Sequence, residues 1–336
     1  MSTHKLLRRI SIKKTFFALV LSLSLFFGST TLAATAWQLP TSGKVFSDDA
    51  KQAYVAEKMG KFFRGEVKST FNVPDKWTYE KFTVDGVKVE HLVNPARKKS
   101  ARVALQLHGG GYVDDLGDLH RDFAVKQTVL SDAREAYLVD YRLAPENVYP
   151  AALDDAVKVY RELLKRNVDP NEIVVFGDSA GGNLAVELAL YLKANNLPQP
   201  ALLILISPWT TLETDLPSRT GNAESDLILG VTNPHMYNEV CNPKYNGEIS
   251  LSDPRLSPIH ADLTGLPPML IQVGGHEMFV DDGLELLRKA AADELDVTLS
   301  VYRGMSHDFA LLLPELDDSI KSFAEIKNFV NTHLPR

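Results

Sequence analysis

The sequence predicts an α/β fold, a mostly parallel central sheet flanked by helices. Two observations carry this expectation. Short β-rich runs alternate with stretches of ten or more residues at helical spacing. The runs are also apolar almost throughout, the pattern of strands covered on both faces. Residues 102–107, 136–141, 173–176, 201–206, 269–273 and 297–302 are the strand candidates. Residues 121–133, 151–165, 183–193, 283–292 and 319–333 read as the helices between and after them, with apolar positions at 3–4 residue spacing clearest in 151–165. Before the alternation begins, 79–84 and 87–93 flank Asp85-Gly86, a turn dipeptide that joins two strands into a hairpin.

Two stretches break the rhythm. Residues 37–75 read as partly helical and irregular. Residues 208–252 carry scattered Asn, Pro and Gly with only short helical patterns. A segment that long, inserted in a compact domain, is expected to form a lid or binding loop. Composition is that of a globular chain, either one large domain with an insertion or two small ones: 336 residues, 45% hydrophobic and 24% charged, which excludes disordered and collagen-like chains.

The first 33 residues are read as a signal peptide ahead of a domain at 34–336. Lys5, Arg8, Arg9, Lys13 and Lys14 form a basic start without acids. An apolar run follows at 15–27, then small residues that place cleavage at Ala33 or Ala36. Such a run is short for a bilayer span, which needs about 20 residues, so an exported protein without a stable membrane span after cleavage is expected, and an uncleaved anchor is the competing reading. Arg8-Arg9 resembles a twin-arginine signal only weakly, because Ser11 stands where that pattern prefers a bulky apolar residue.

Formal net charge is −7, and the five leader bases lie outside the domain, leaving it at −12. An acidic body without a Lys/Arg stripe excludes a nucleic-acid partner. Cys241 is the sole cysteine, so no internal disulfide forms.

Chemistry concentrates in three places. Gly177-Asp178-Ser179-Ala180-Gly181 fits G-x-S-x-G between a strand and a helix. A serine on so tight a turn is pushed out as an exposed nucleophile, and the flanking glycines remove colliding side chains. GDSAGG also resembles the GDSGG of chymotrypsin-like proteases. Those are all-β chains whose nucleophile comes last, whereas Ser179 is central in an alternating chain. His108-Gly109-Gly110-Gly111 follows the strand at 102–107. Bare glycine N–H groups suit an oxyanion, and Gly109, Gly110 and Ala180 are the expected donors. A phosphate-cradling loop is the weaker reading, because no Lys follows at P-loop spacing and no G-x-G-x-x-G is present. His108 itself is expected to shape the loop. His307, in Gly304–Phe309 after the strand at 297–302, is the expected general base. His276 is its closest competitor, and the remaining histidines are read as structural. For the acid that orients the imidazole, Glu277 is favoured because it follows the strand at 269–273 directly. Asp281, about a helical turn later, stays open. No H-E-x-x-H or comparable ligand spacing is present, and no metal or cofactor is expected.

These residues sit within longer motifs: HGGGY at 108–112, DYRLAPE at 140–146, PAALDDA at 150–156, GDSAGGNLA at 177–185, LISPW at 205–209, LSPIHADLTGLPPMLIQVGGHE at 256–277 and GMSHDF at 304–309. In this combination the chain resembles the hormone-sensitive-lipase-like family of α/β-hydrolases, the "alpha/beta hydrolase fold-3" bacterial carboxylesterases, over about 75–330. The resemblance implies an α/β-hydrolase fold with a small helical cap from about 37–75 and 208–252. It maps nucleophile, base and oxyanion glycines onto Ser179, His307, Gly109 and Gly110. Many members carry Asp-Pro-Leu at the acid position, where this chain has Glu277-Met278-Phe279. A subgroup is similar in using Glu there. The implied activity is serine hydrolysis of small short- to medium-chain esters through an acyl-enzyme. A lactone, amide or aryl-formamide hydrolase with the same residues is the alternative, because leaving-group preference lies in pocket shape. A non-catalytic small-molecule binder on this fold is the third reading.

Overall fold

The computed structural model describes residues 37–336. The expected leader at 1–33 lies outside the described residues. Helix α1 (Asp48–Phe63) comes first, followed by the expected hairpin, β1 (Thr78–Val84) and β2 (Val87–Val93). Asp85 and Gly86 turn it with φ 46° and 86°, the left-handed pair that a two-residue hairpin requires. The alternation then runs β3 (Val103–Leu107), α2 (Asp118–Leu130), β4 (Glu135–Asp140), α3 (Ala151–Lys165), β5 (Ile173–Asp178), α4 (Ala180–Ala194) and β6 (Leu202–Ile206). Two short helices, α5 (Pro217–Gly221) and α6 (Pro234–Cys241), lie in the irregular insertion. The chain closes with β7 (Met269–Gly274), α7 (Val280–Ala292), β8 (Val297–Tyr302), α8 (Phe309–Leu312) and α9 (Asp317–His333).

The eight strands form one sheet in the order β1-β2-β4-β3-β5-β6-β7-β8. The pairs β1–β2 and β2–β4 are antiparallel, and every pair from β4 onward is parallel. Alternation along each strand feeds two cores. Val103, Leu105 and Leu107 pack with α3 and α4 on one face, while Ala104, Val174 and Phe176 pack with α2 and α9 on the other. Among the described residues no helix is long and apolar enough to cross a membrane.

The chain leaves β3 toward β4 on one side, then returns to pair β5 on the other. That reversal opens a crevice at the strands' carboxyl ends, where ligands gather in such sheets. The loops entering it follow β3 and β5, which carry the glycine run and Ser179.

Boundaries differ from expectation most at three helices. Helix α2 spans Asp118–Leu130 rather than 121–133. Helix α4 starts at Ala180, three residues before the expected 183, and α7 starts at Val280 rather than 283. Glycines 181, 182 and 283 weaken the sequence signal for a helical first turn, yet packing overrides propensity. A Cβ on Gly181 would overlap the backbone of Leu107 and His108, so the helix needs that glycine to sit against β3.

Candidate active site

Ser179 occupies the turn between β5 and α4 with φ 52° and ψ −121°. A non-glycine residue in so sparsely populated a conformation is held by its surroundings. Its N–H donates to Ile206 O at 3.0 Å, and its carbonyl accepts from Trp209 N at 3.0 Å, so β6 and the chain after it clamp the turn. Ser179, Gly110 and His307 line one pocket of about 290 Å³. Phe62 and Phe63 of α1 enter it from one segment, and Ile228, Leu229 and Met236 from the insertion.

His307 is buried between two carboxylates. Its Nδ1 lies 3.7 Å from Glu277 Oε2, and its Nε2 lies 3.1 Å from Asp308 Oδ2. Burial pulls the imidazole's pKa down, but Asp308 first and then Glu277 more than offset it, leaving it well above its ordinary value. Glu277 is fully buried, and burial raises its pKa to about 7 against the opposing pull of His307 and Ser207. Its Oε2 accepts from Ser207 Oγ at 2.6 Å, and Ser207 Oγ in turn accepts from Asp308 N at 3.0 Å. Ser207 thus links the Glu277 loop to the His307 loop. Asp281, the other acid candidate, points elsewhere: its Oδ2 accepts from Ser218 N at 2.8 Å. His276 is not among the pocket residues, and its backbone N–H donates to Met305 O at 2.9 Å.

The Glu277 loop is braced from the insertion. Arg219 pairs bidentately with buried Asp282, at 2.6 and 3.0 Å, and donates to Met278 O at 2.6 Å. Asn222 Nδ2 donates to Glu277 O, and Asp226 accepts from Met278 N, both at 2.8 Å. These contacts hold the backbone of Glu277 and Met278, while Ser207 holds the Glu277 carboxyl itself.

One expected donor is corrected. Gly109 N–H already donates to Asp178 Oδ2 at 2.9 Å, which takes it from the oxyanion set. Gly109 is a close-approach glycine instead: a Cβ there would overlap the Asp178 carboxylate and stand 3.0 Å from Ser179 Cβ. The N–H groups of Gly110, Gly111 and Ala180 have no acceptor among the described residues. Gly110 and Gly111 adopt φ 107° and 62°, which turns the chain sharply at this point. His108 serves the loop as expected. Its Nδ1 bonds Gly109 O at 2.8 Å, its ring stacks on Tyr141 at 4.1 Å, and burial lowers its pKa to about 3.

Sequence reasoning missed Asp308, Asp178, His120 and Ser207. Asp308 and Asp178 adjoin the base and the nucleophile in sequence, and that adjacency was the available signal. His120 Nε2 lies 3.6 Å from Asp178 Oδ2 and lines the pocket, although as one of nine histidines it carried no motif. Among the described residues no cluster of His, Cys, Asp or Glu is arranged to hold a metal ion.

Comparison with known proteins agrees with this architecture. Residues 104–311 match the family model described as alpha/beta hydrolase fold. An esterase of Acinetobacter venetianus is 32% identical over 248 residues, covering 74% of this chain and 80% of that protein. An acetyl-hydrolase of Streptomyces hygroscopicus is 34% identical over 242 residues, covering 71% and 78%. The crystal structure of an esterase from the bacterial hormone-sensitive lipase family superposes with a TM-score of 0.75 at 31% identity, covering 87% of this chain and all of that one. The chain therefore belongs to the α/β-hydrolase fold family, in its hormone-sensitive-lipase-like branch.

Proposed function

We infer that the protein is a serine carboxylic-ester hydrolase. The observation that carries this is the pocket shared by Ser179, Gly110 and His307, with Glu277 buried behind the imidazole. Relatives named esterase, acetyl-hydrolase and carboxylesterase support the same reaction.

In this reading Ser179 Oγ attacks the ester carbonyl while His307 Nε2 takes its proton. Glu277 holds the imidazole ring and stabilises the imidazolium that forms. The N–H groups of Gly110, Gly111 and Ala180 receive the oxyanion, at the start of a helix whose dipole favours negative charge there. His307 then returns the proton to the leaving alcohol, and a water activated by the same imidazole resolves the acyl-enzyme. Asp308, close to Nε2, adds negative charge beside the developing imidazolium.

A pocket of about 290 Å³ with apolar walls suits short- to medium-chain acyl groups. Segments 37–75 and 208–252 act as its cap, because side chains from both line it. We also propose that the protein is exported, on the strength of the basic start and apolar run before residue 33. N-terminal sequencing of protein recovered outside the cytoplasm tests export: a start at Ala34 or Trp37 supports it, and an intact Met1 in the cytoplasm refutes it. The activity is tested with p-nitrophenyl esters of rising acyl length. Turnover that peaks at short chains is expected. A folded enzyme that cleaves lactones or amides but no ester would move the assignment to the alternative chemistry.

A further inference from the structure

Three buried polar side chains outside the machinery above face one another. Glu187 projects from α4, Tyr112 follows the glycine run after β3, and Tyr245 comes from the insertion beyond α6. Tyr112 and Tyr245 are fully buried, and Glu187 is 2% exposed. The two phenol rings stack with centroids 3.6 Å apart and planes 11° apart. Their hydroxyls face the Glu187 carboxyl. Neither hydroxyl and neither carboxyl oxygen has a partner at hydrogen-bond geometry among the described residues.

Four stranded oxygens in an apolar interior are costly, so such groups pair when they can. Among the described residues no cation pairs with Glu187, and burial raises its pKa well above the ordinary carboxyl range. A protonated carboxyl has one O–H donor and spare acceptor capacity, and each phenol has both. Small rotations therefore close a chain in which Glu187 donates to one hydroxyl and accepts from the other.

The cluster's position gives it a task. Helix α4 starts directly after Ser179, and Tyr112 adjoins Gly111 with φ 62°. Tyr112 O accepts from Ala144 N at 2.8 Å, and Tyr245 O accepts from Tyr149 N at 2.7 Å, so both backbones are anchored behind the loop. We propose that Glu187 is a positioning residue for the oxyanion donors, tying the Gly110–Tyr112 turn and the insertion to the nucleophile's helix through hydrogen bonds to the two phenols. The proposal rests on the esterase reading for its kinetic readout alone.

Glu187→Gln keeps a donor and an acceptor in the same volume, while Glu187→Leu removes both. With p-nitrophenyl acetate, Gln should hold kcat within about threefold. Leu should lose about tenfold or more in kcat with little change in KM, since the lost interaction acts in the transition state. Tyr112→Phe, which removes a single hydroxyl, should lose kcat in the same sense. Amide hydrogen exchange at 113, 114 and 144, whose N–H groups bond Gly110 O and Tyr112 O, should quicken in Leu and not in Gln. Leu retaining both kcat and slow exchange, or Gln failing as badly as Leu, overturns the proposal. If the wild type hydrolyses no ester, the esterase reading falls, and the exchange comparison alone still decides the role of Glu187.

Discussion

Replacing Glu277 with Gln should remove activity and stabilise the fold at alkaline pH. The Glu277 carboxyl is fully buried, receives a hydrogen bond from Ser207, and sits 3.7 Å from His307. Burial raises its pKa from 4.5 to about 7. A folded-state value above the unfolded one means that the native chain holds this proton more tightly. The resulting stability is fully present below about pH 4.5 and is lost as pH rises through about 7. At roughly 1.4 kcal/mol per pH unit, that interval sets an upper figure of about 3 kcal/mol for keeping the carboxylate charged in the core. Gln is neutral at every pH and escapes the cost. Urea denaturation should therefore show the variant more stable than wild type at pH 8.5, by up to about 3 kcal/mol, and equal to it near pH 5. Ester turnover should meanwhile fall on the order of a thousandfold, because Gln cannot stabilise the imidazolium. Asp281→Asn is the control. Its carboxylate bonds Ser218 N, away from His307, and activity should stay within a few-fold. A Glu277→Gln protein less stable than wild type at pH 8.5, or a crippled Asp281→Asn, would contradict these assignments.

Other substitutions test neighbouring parts of the site. The Asp308 carboxylate beside His307 Nε2 holds the imidazole's pKa up, so Asp308→Asn should move the acid limb of kcat/KM to lower pH by about one unit; a limb that stays or rises contradicts this. Gly109→Ala should lose about a hundredfold or more in kcat while keeping native circular dichroism, since its Cβ would strike the Asp178 carboxylate and crowd Ser179. Near-normal turnover would show that the loop yields. Arg219→Met leaves Asp282 buried without its partner and should cost about 3–5 kcal/mol in urea denaturation. Adding Asp282→Leu should recover much of that loss, and no recovery would locate the defect elsewhere.

Much of this architecture is legible in the sequence because its signals are local. The buried strands read as short apolar runs, and the Asp85-Gly86 hairpin and Ala151–Lys165 helix carry their own turn and periodicity signals. Ser179 and His307 announce themselves through motifs whose spacing follows from strand-turn-helix geometry. What stays hidden depends on pairings distant in sequence. Gly109 and Gly110 look alike as a string, yet only Gly109 meets Asp178, 69 residues away. Ser207 reads as part of a strand-end motif until its hydroxyl is seen between Glu277 and the backbone of Asp308. Glu277 and Asp281 are both reasonable acids in one dimension, and Ser218 separates them in three. The insertion reads as irregular because its order comes from Arg219, Asn222 and Asp226 gripping the Glu277 loop, not from periodicity of its own.

Covalent labelling tests the central claim most directly. The purified protein would be treated with a fluorophosphonate, and the adduct counted by intact mass and mapped by peptide sequencing. One adduct per chain on Ser179, formed in step with the loss of esterase activity and absent from Ser179→Ala, is the predicted result. A folded chain that stays unlabelled, or carries its adduct on another residue while Ser179→Ala remains active, would contradict the assignment of Ser179 as nucleophile.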